Sequence, residues 1–169
     1  MAQVEINKNI HLSEHFTLGE MCITSAKTQD GNVPSHVHIE NLKRLCGWLE
    51  MLRSEWNKRY GEGNDPIIIN SGYRSPAVNK SVGGAPTSNH LTGCAVDIRT
   101  NGMEQAIEYA AILIAYAKES NQDYDELLIE RNRYGAVWLH FAVRPKERSA
   151  TQGDACLSKN RRKVAFIIV

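Results

Sequence analysis

The sequence predicts an α+β fold, a small and mainly antiparallel sheet with helices packed on one side. Three observations point there. Two stretches, 38–60 and 103–120, carry apolar residues at helical spacing. Several short runs are β-branched or alternate with period two. These runs do not alternate one for one with the helices, as the βαβ units of a parallel sheet would demand. A chain of 169 residues can bury a sizeable core within one domain, and no repeat, low-complexity tract or linker divides it, so residues 1–169 are expected to form a single domain.

The elements follow in order. Thr17 and Glu20 have the spacing of a capping box, which starts one short helix, with Phe16 placed to staple it. Ile39, Leu42, Leu45, Cys46, Leu49, Leu52 and Trp56 form one stripe of a long amphipathic helix over 38–60. Residues 61–66, GEGNDP, end it. Ile67, Ile68 and Ile69 make a short buried strand. A loop rich in Gly and Pro leads to a second strand over 94–99. Met103, Ile107, Ala110, Ala111, Ile114 and Ala117 mark the second helix, ending near Ser120. Residues 126–130 and 136–143 are strands joined as a hairpin, residues 144–160 are a polar excursion, and 164–169 close the chain as an apolar strand.

Composition narrows the function. The net charge is +1 and the pI about 7.7, with basic residues scattered until Arg161, Arg162 and Lys163, so nothing marks a nucleic-acid footprint. The four cysteines, Cys22, Cys46, Cys94 and Cys156, stand far apart with no C-x-x-C pair, which fits small core residues better than a disulfide framework or a zinc knuckle. No run suits a signal peptide or a membrane span. The protein is therefore expected in the cytoplasm as synthesised, without membrane insertion, and action outside would need host lysis or another route of release.

The chemistry concentrates in residues 71–98, SGYRSPAVNKSVGGAPTSNHLTGCAVDI. His90 follows a loop whose glycines permit close backbone approach. Asp97 falls inside an otherwise apolar strand, where an unpaired charge would be costly without a metal or cation. His140 lies in the run Val137-Trp138-Leu139-His140-Phe141, and period two puts it on one face with Trp138 and Ala142, opposite the most apolar face. A hydrolytic zinc site wants three His or carboxylate ligands and an open position for water. His90, Asp97 and His140 supply that set. His11, His15, His36 and His38 have ordinary surface or core surroundings.

Ser71-Gly72-Tyr73-Arg74-Ser75, Asn79, Gly83-Gly84, then Ser88, His90, Gly93, Ala95 and Asp97, and finally Trp138 and His140, resemble the zinc D-alanyl-D-alanine carboxypeptidase family. That family sits in a wider group with the lysostaphin-type endopeptidases and the hedgehog signalling domain. The resemblance covers about a third of the chain. It implies a Zn²⁺ held by His90, Asp97 and His140, and a peptidoglycan peptide as substrate. It also implies that Arg74 polarises the scissile carbonyl and stabilises the oxyanion, and that Ser88 and Tyr73 help bind substrate, although an aromatic such as Tyr73 at a loop base is more often packing. The family's general base commonly stands three residues before the last His, and that position here is Val137. Glu130, across the hairpin, is the nearest substitute, and it reaches the centre only if it aligns near Trp138 or His140.

Two functions follow. One is a zinc peptidase cleaving a bond flanked by a D-amino acid, as carboxypeptidase or endopeptidase, in the manner of a prophage lysin or a wall-remodelling enzyme. The other is a non-catalytic module that keeps the zinc and the groove but has lost its base.

Overall fold

The computed structural model describes residues 7–61, 63–144 and 163–169. Helices α1 (Leu18–Met21) and α2 (His36–Arg59) come first, followed by strand β1 (Ile69–Ser71), helix α3 (Pro76–Ser81) and a 3₁₀ turn (Asn89–Thr92). Then come β2 (Ala95–Arg99), α4 (Met103–Glu119), β3 (Glu126–Arg131), β4 (Val137–Ala142) and β5 (Lys163–Ile168). The strands form a five-stranded sheet in the order β1-β2-β4-β3-β5, antiparallel throughout except for the parallel pairing of β3 with β5. This is the expected α+β fold.

Local chemistry explains the helix starts. Thr17 caps α1 reciprocally: its backbone N–H donates to Glu20 Oε2 at 2.8 Å, and the Glu20 N–H donates to Thr17 Oγ1. Ser35 caps α2 with His38 as its reciprocal partner, so His38 has a structural task. The stripe of α2 buries Leu42, Leu45, Leu49 and Leu52, and α4 adds Tyr109, Ile112 and Leu113. These residues join Val96, Ile98, Leu127, Leu139 and Phe141 in one core. Both long helices therefore cover the same face of the sheet. The N-terminal segment is clasped to α2 by Glu50, whose carboxylate accepts from the Ser13 hydroxyl and the His15 backbone N–H, both at 2.7 Å, and meets the His15 ring at the same distance.

Some expectations shift. The isoleucine strand enters the ladder only at Ile69 and runs on to Ser71, because pairing with β2 is irregular there; Ile67 and Ile69 are buried while Ile68 is exposed. The Gly/Pro loop contains α3 and the 3₁₀ turn, neither of which periodicity marked. Cys22, Cys46 and Cys94 are free and buried, as small core residues should be, and burial pushes the Cys22 and Cys46 thiols up to about 12. Cys156 and most of the polar excursion at 144–160 lie outside the described residues. Among the described residues no helix is long and apolar enough to cross a membrane.

Candidate metal centre

Strand register builds the centre. Asp97 on β2 stands directly opposite His140 on β4, and Leu128 on β3 opposes His140 from the other side. Opposed residues share a face, and this face is the one turned away from α2 and α4. The alternate residues Ile98, Leu139 and Phe141 are fully buried against the helices.

His90 arrives from the 3₁₀ turn. Ser88 caps that turn by accepting the His90 backbone N–H at 3.3 Å. Gly93 ends it at φ +71°, in the left-handed region that favours glycine. Asn41 on α2 ties it down by donating to the Thr92 carbonyl at 2.9 Å. The ring itself is aimed by Gly72, whose carbonyl accepts from Nδ1 at 2.6 Å. No side chain fits at Gly72, since a Cβ would lie 2.2 Å from the Met21 carbonyl oxygen.

The three side chains converge, with one ligating atom from each lying within 4.8 Å of the others, and all three residues are buried. Asp97 Oδ1 is the hub, 3.3 Å from His90 Nε2 and 2.8 Å from His140 Nδ1. Arg74 Nη2 donates to the other oxygen, Oδ2, at 2.6 Å, while Arg74 Nε donates to Ser71 Oγ at 2.8 Å. Burial alone would raise the Asp97 carboxyl, but the bonds and charges of His140 and His90 outweigh it and hold the group well below the usual carboxylate range. Burial works against a charged His140, yet its bonds to Asp97 and Glu126 and the charges of Asp97 and Glu130 push it up to about 9.

Two imidazole nitrogens and a carboxylate oxygen gathered at one buried point are a donor set that could hold a divalent metal such as zinc. The tautomer agrees. With the His90 Nδ1 proton given to Gly72, the lone pair left for a metal is on Nε2, the atom that faces Asp97.

The other expected residues fall as follows. Arg74 reaches the centre through Asp97. Ser88 is beside it as the cap of the His90 turn. Tyr73 is only 3% exposed and stacks on His38 with ring centroids 4.7 Å apart, so its place is in the packing behind the centre. Glu130 aligns opposite Trp138, one of the two registers that keep it on the His140 face, and accepts the Trp138 indole N–H at 2.5 Å. Val137 opposes Arg131 and by period two faces away from His140. Sequence reasoning missed Glu126, whose Oε2 is 3.3 Å from His140 Nε2, and Asn89, which donates to Glu126 and to Asp125. The signal was available: Glu126 and Glu130 are four apart on one strand and must share a face.

The profile of the peptidase M15 family matches residues 14–129. The chain belongs to that family. The M15 match takes in Arg74, His90 and Asp97 and stops one residue short of Glu130. The zinc D-Ala-D-Ala carboxypeptidase of Streptomyces albus G is 45% identical over 40 residues, which is 24% of this chain and 16% of that protein. The shared stretch is a short piece of a longer relative.

Proposed function

We propose that this M15 protein is a zinc-dependent peptidase acting on the peptides of bacterial peptidoglycan, at a bond flanked by at least one D-amino acid. The observation that carries the proposal is the meeting of His90, Asp97 and His140 at one buried point on a peptidase-family chain. The metal and the substrate class are taken from the named activity of the Streptomyces relative.

When bound, zinc would supply Lewis-acid polarisation of the scissile carbonyl and a water acidified to a pKa of about 7. The chain's own groups do the rest. His90, Asp97 and His140 hold the centre rigidly, because two of them stand on paired strands and the third on a capped turn. Glu130 accepts the proton of the attacking water and passes it to the leaving amine. It lies on the His140 face, steadied by the Trp138 indole, and its charge is felt at His140. Arg74 places positive charge where the carbonyl oxygen turns negative. Its Nε and Nη2 are engaged by Ser71 and Asp97, which orients the guanidinium and, among the described residues, leaves its Nη1 donors for substrate. Ser88, two residues before His90, offers a hydroxyl to the peptide, and Tyr73 supports the loop from behind.

The test uses the full chain loaded with zinc and a synthetic wall pentapeptide ending in D-Ala-D-Ala. The expected result is release of D-Ala or cleavage within the peptide, with kcat reduced about 10²–10⁴-fold in Glu130→Gln while zinc is retained. Unchanged turnover in that variant would remove Glu130 as the base. A zinc-loaded wild type that binds wall fragments without cutting them would favour the non-catalytic module, to which Val137 at the family's base position gives some weight. Turnover of ordinary L-peptides alone would remove the substrate class.

A further inference from the structure

The two imidazoles of the centre approach Asp97 through different nitrogens. His90 does so through Nε2, its Nδ1–H being given to Gly72, whereas His140 does so through Nδ1. A ring that gives its Nδ1 lone pair to a metal keeps its single proton on Nε2, and that proton needs an acceptor. The atom facing it is Glu126 Oε2, at 3.3 Å.

We infer that Glu126 is a positioning residue for the metal centre, fixing the orientation and tautomer of His140 from the side of the ring opposite the metal.

Several features support this. Glu126 opposes Ala142 on β4, so it lies diagonally from His140 on the same face, within reach of the ring's far nitrogen. The carboxylate is itself held, because Asn89 Nδ2 donates to Glu126 Oε2 at 3.3 Å and to Asp125 Oδ2 at 3.1 Å. Asn89 is the residue before His90. One amide thus links the turn carrying the first imidazole to the carboxylate that orients the second, and the two rings, 5.1 Å apart between centroids, are set by a common frame. The same arrangement separates the two glutamates of β3. Glu126 is engaged behind the His140 ring, while Glu130, four residues on, is steadied by an indole and is the one proposed to exchange protons.

The inference rests on the metal-centre reading, and its test separates the two. Zinc affinity of the full chain is measured by competition with a chromogenic chelator for wild type, Glu126→Ala and Glu126→Gln. In parallel, the two-bond ¹H–¹⁵N spectrum of zinc-loaded wild type reports the protonated nitrogen of His140. The expected results are an affinity loss of about 10–100-fold in Glu126→Ala, recovery of most of it in Glu126→Gln, whose amide oxygen can still accept the Nε2 proton, and a His140 spectrum with the proton on Nε2. Wild-type affinity in folded Glu126→Ala, or a His140 proton on Nδ1, would overturn the role of Glu126 and leave the peptidase proposal intact. A wild type that takes up no zinc would overturn both. The spectrum needs no variant, so it can still overturn the role of Glu126 even if Glu126→Ala does not fold.

Discussion

The two faces of β4 put opposite demands on six consecutive residues. Leu139 and Phe141 point into the apolar core beneath α2 and α4, whereas Trp138 and His140 point to the other side, where Asp97, Arg74, Glu126 and Glu130 gather. One face is held by apolar area removed from water. The other holds buried and half-buried polar groups that would be costly singly and are tolerated because they are partnered. The difference teaches where the rigidity of the centre comes from. Asp97 and His140 depend little on packing around their own side chains, because the two paired strands that carry them are fixed from behind by the core under α2 and α4.

Substitutions can break or sharpen that contrast. The largest effect is expected from the neighbouring pair His140→Ala and Phe141→Ala. The first should abolish zinc uptake in the chelator assay and change the urea midpoint of the metal-free protein less than the second does. The second should cost about 3–5 kcal/mol of stability while the folded fraction still binds zinc. If Phe141→Ala removed the metal and His140→Ala removed the fold, the two faces would not be separable. A smaller effect is expected within the polar face. Trp138→Phe keeps a ring but deletes the donor to Glu130, and one neutral-to-charged hydrogen bond of about 1.5–3 kcal/mol corresponds to a fall in kcat of about 10- to 150-fold at most, with zinc content unchanged. The smallest effect lies far from the sheet. Burial works to raise the Glu50 carboxyl, but the bonds from Ser13 and His15 outweigh it and hold it below the usual carboxylate range. A depressed carboxyl contributes stability above its unfolded pKa and loses it as pH falls through the folded value. The wild type should therefore lose slightly more stability in acid than Glu50→Gln does, and equal acid sensitivity would show that the clasp contributes nothing.

Much of the fold was legible because it is written in local periods. The stripe of α2, the Thr17–Glu20 box and the alternation around His140 each need only neighbouring residues, and Asp97 in an apolar strand announced itself by its cost. What was not legible depended on distance. A six-residue α3 and a four-residue 3₁₀ turn are too short for a helical period to emerge from the loop. The 164–169 strand was visible as a strand, but its parallel seat on β3 is a tertiary choice. The two glutamates of β3 show the limit most clearly. Period two puts both on the His140 face, yet which meets the ring and which meets the indole is decided by cross-strand diagonals and side-chain reach, and neither is encoded in spacing.

Gly72 carries a consequence for anyone who would transplant this chemistry. Its carbonyl aims His90, and its bare α-carbon sits against the carbonyl of Met21, while the next residue, Tyr73, donates its N–H to that same carbonyl at 2.7 Å. A graft limited to the three ligands and their strands would leave the first imidazole without its rest. The smallest portable unit therefore includes a short N-terminal helix some fifty residues upstream, and random mutagenesis for altered activity should find hits around Met21 that no map of the cleft would nominate.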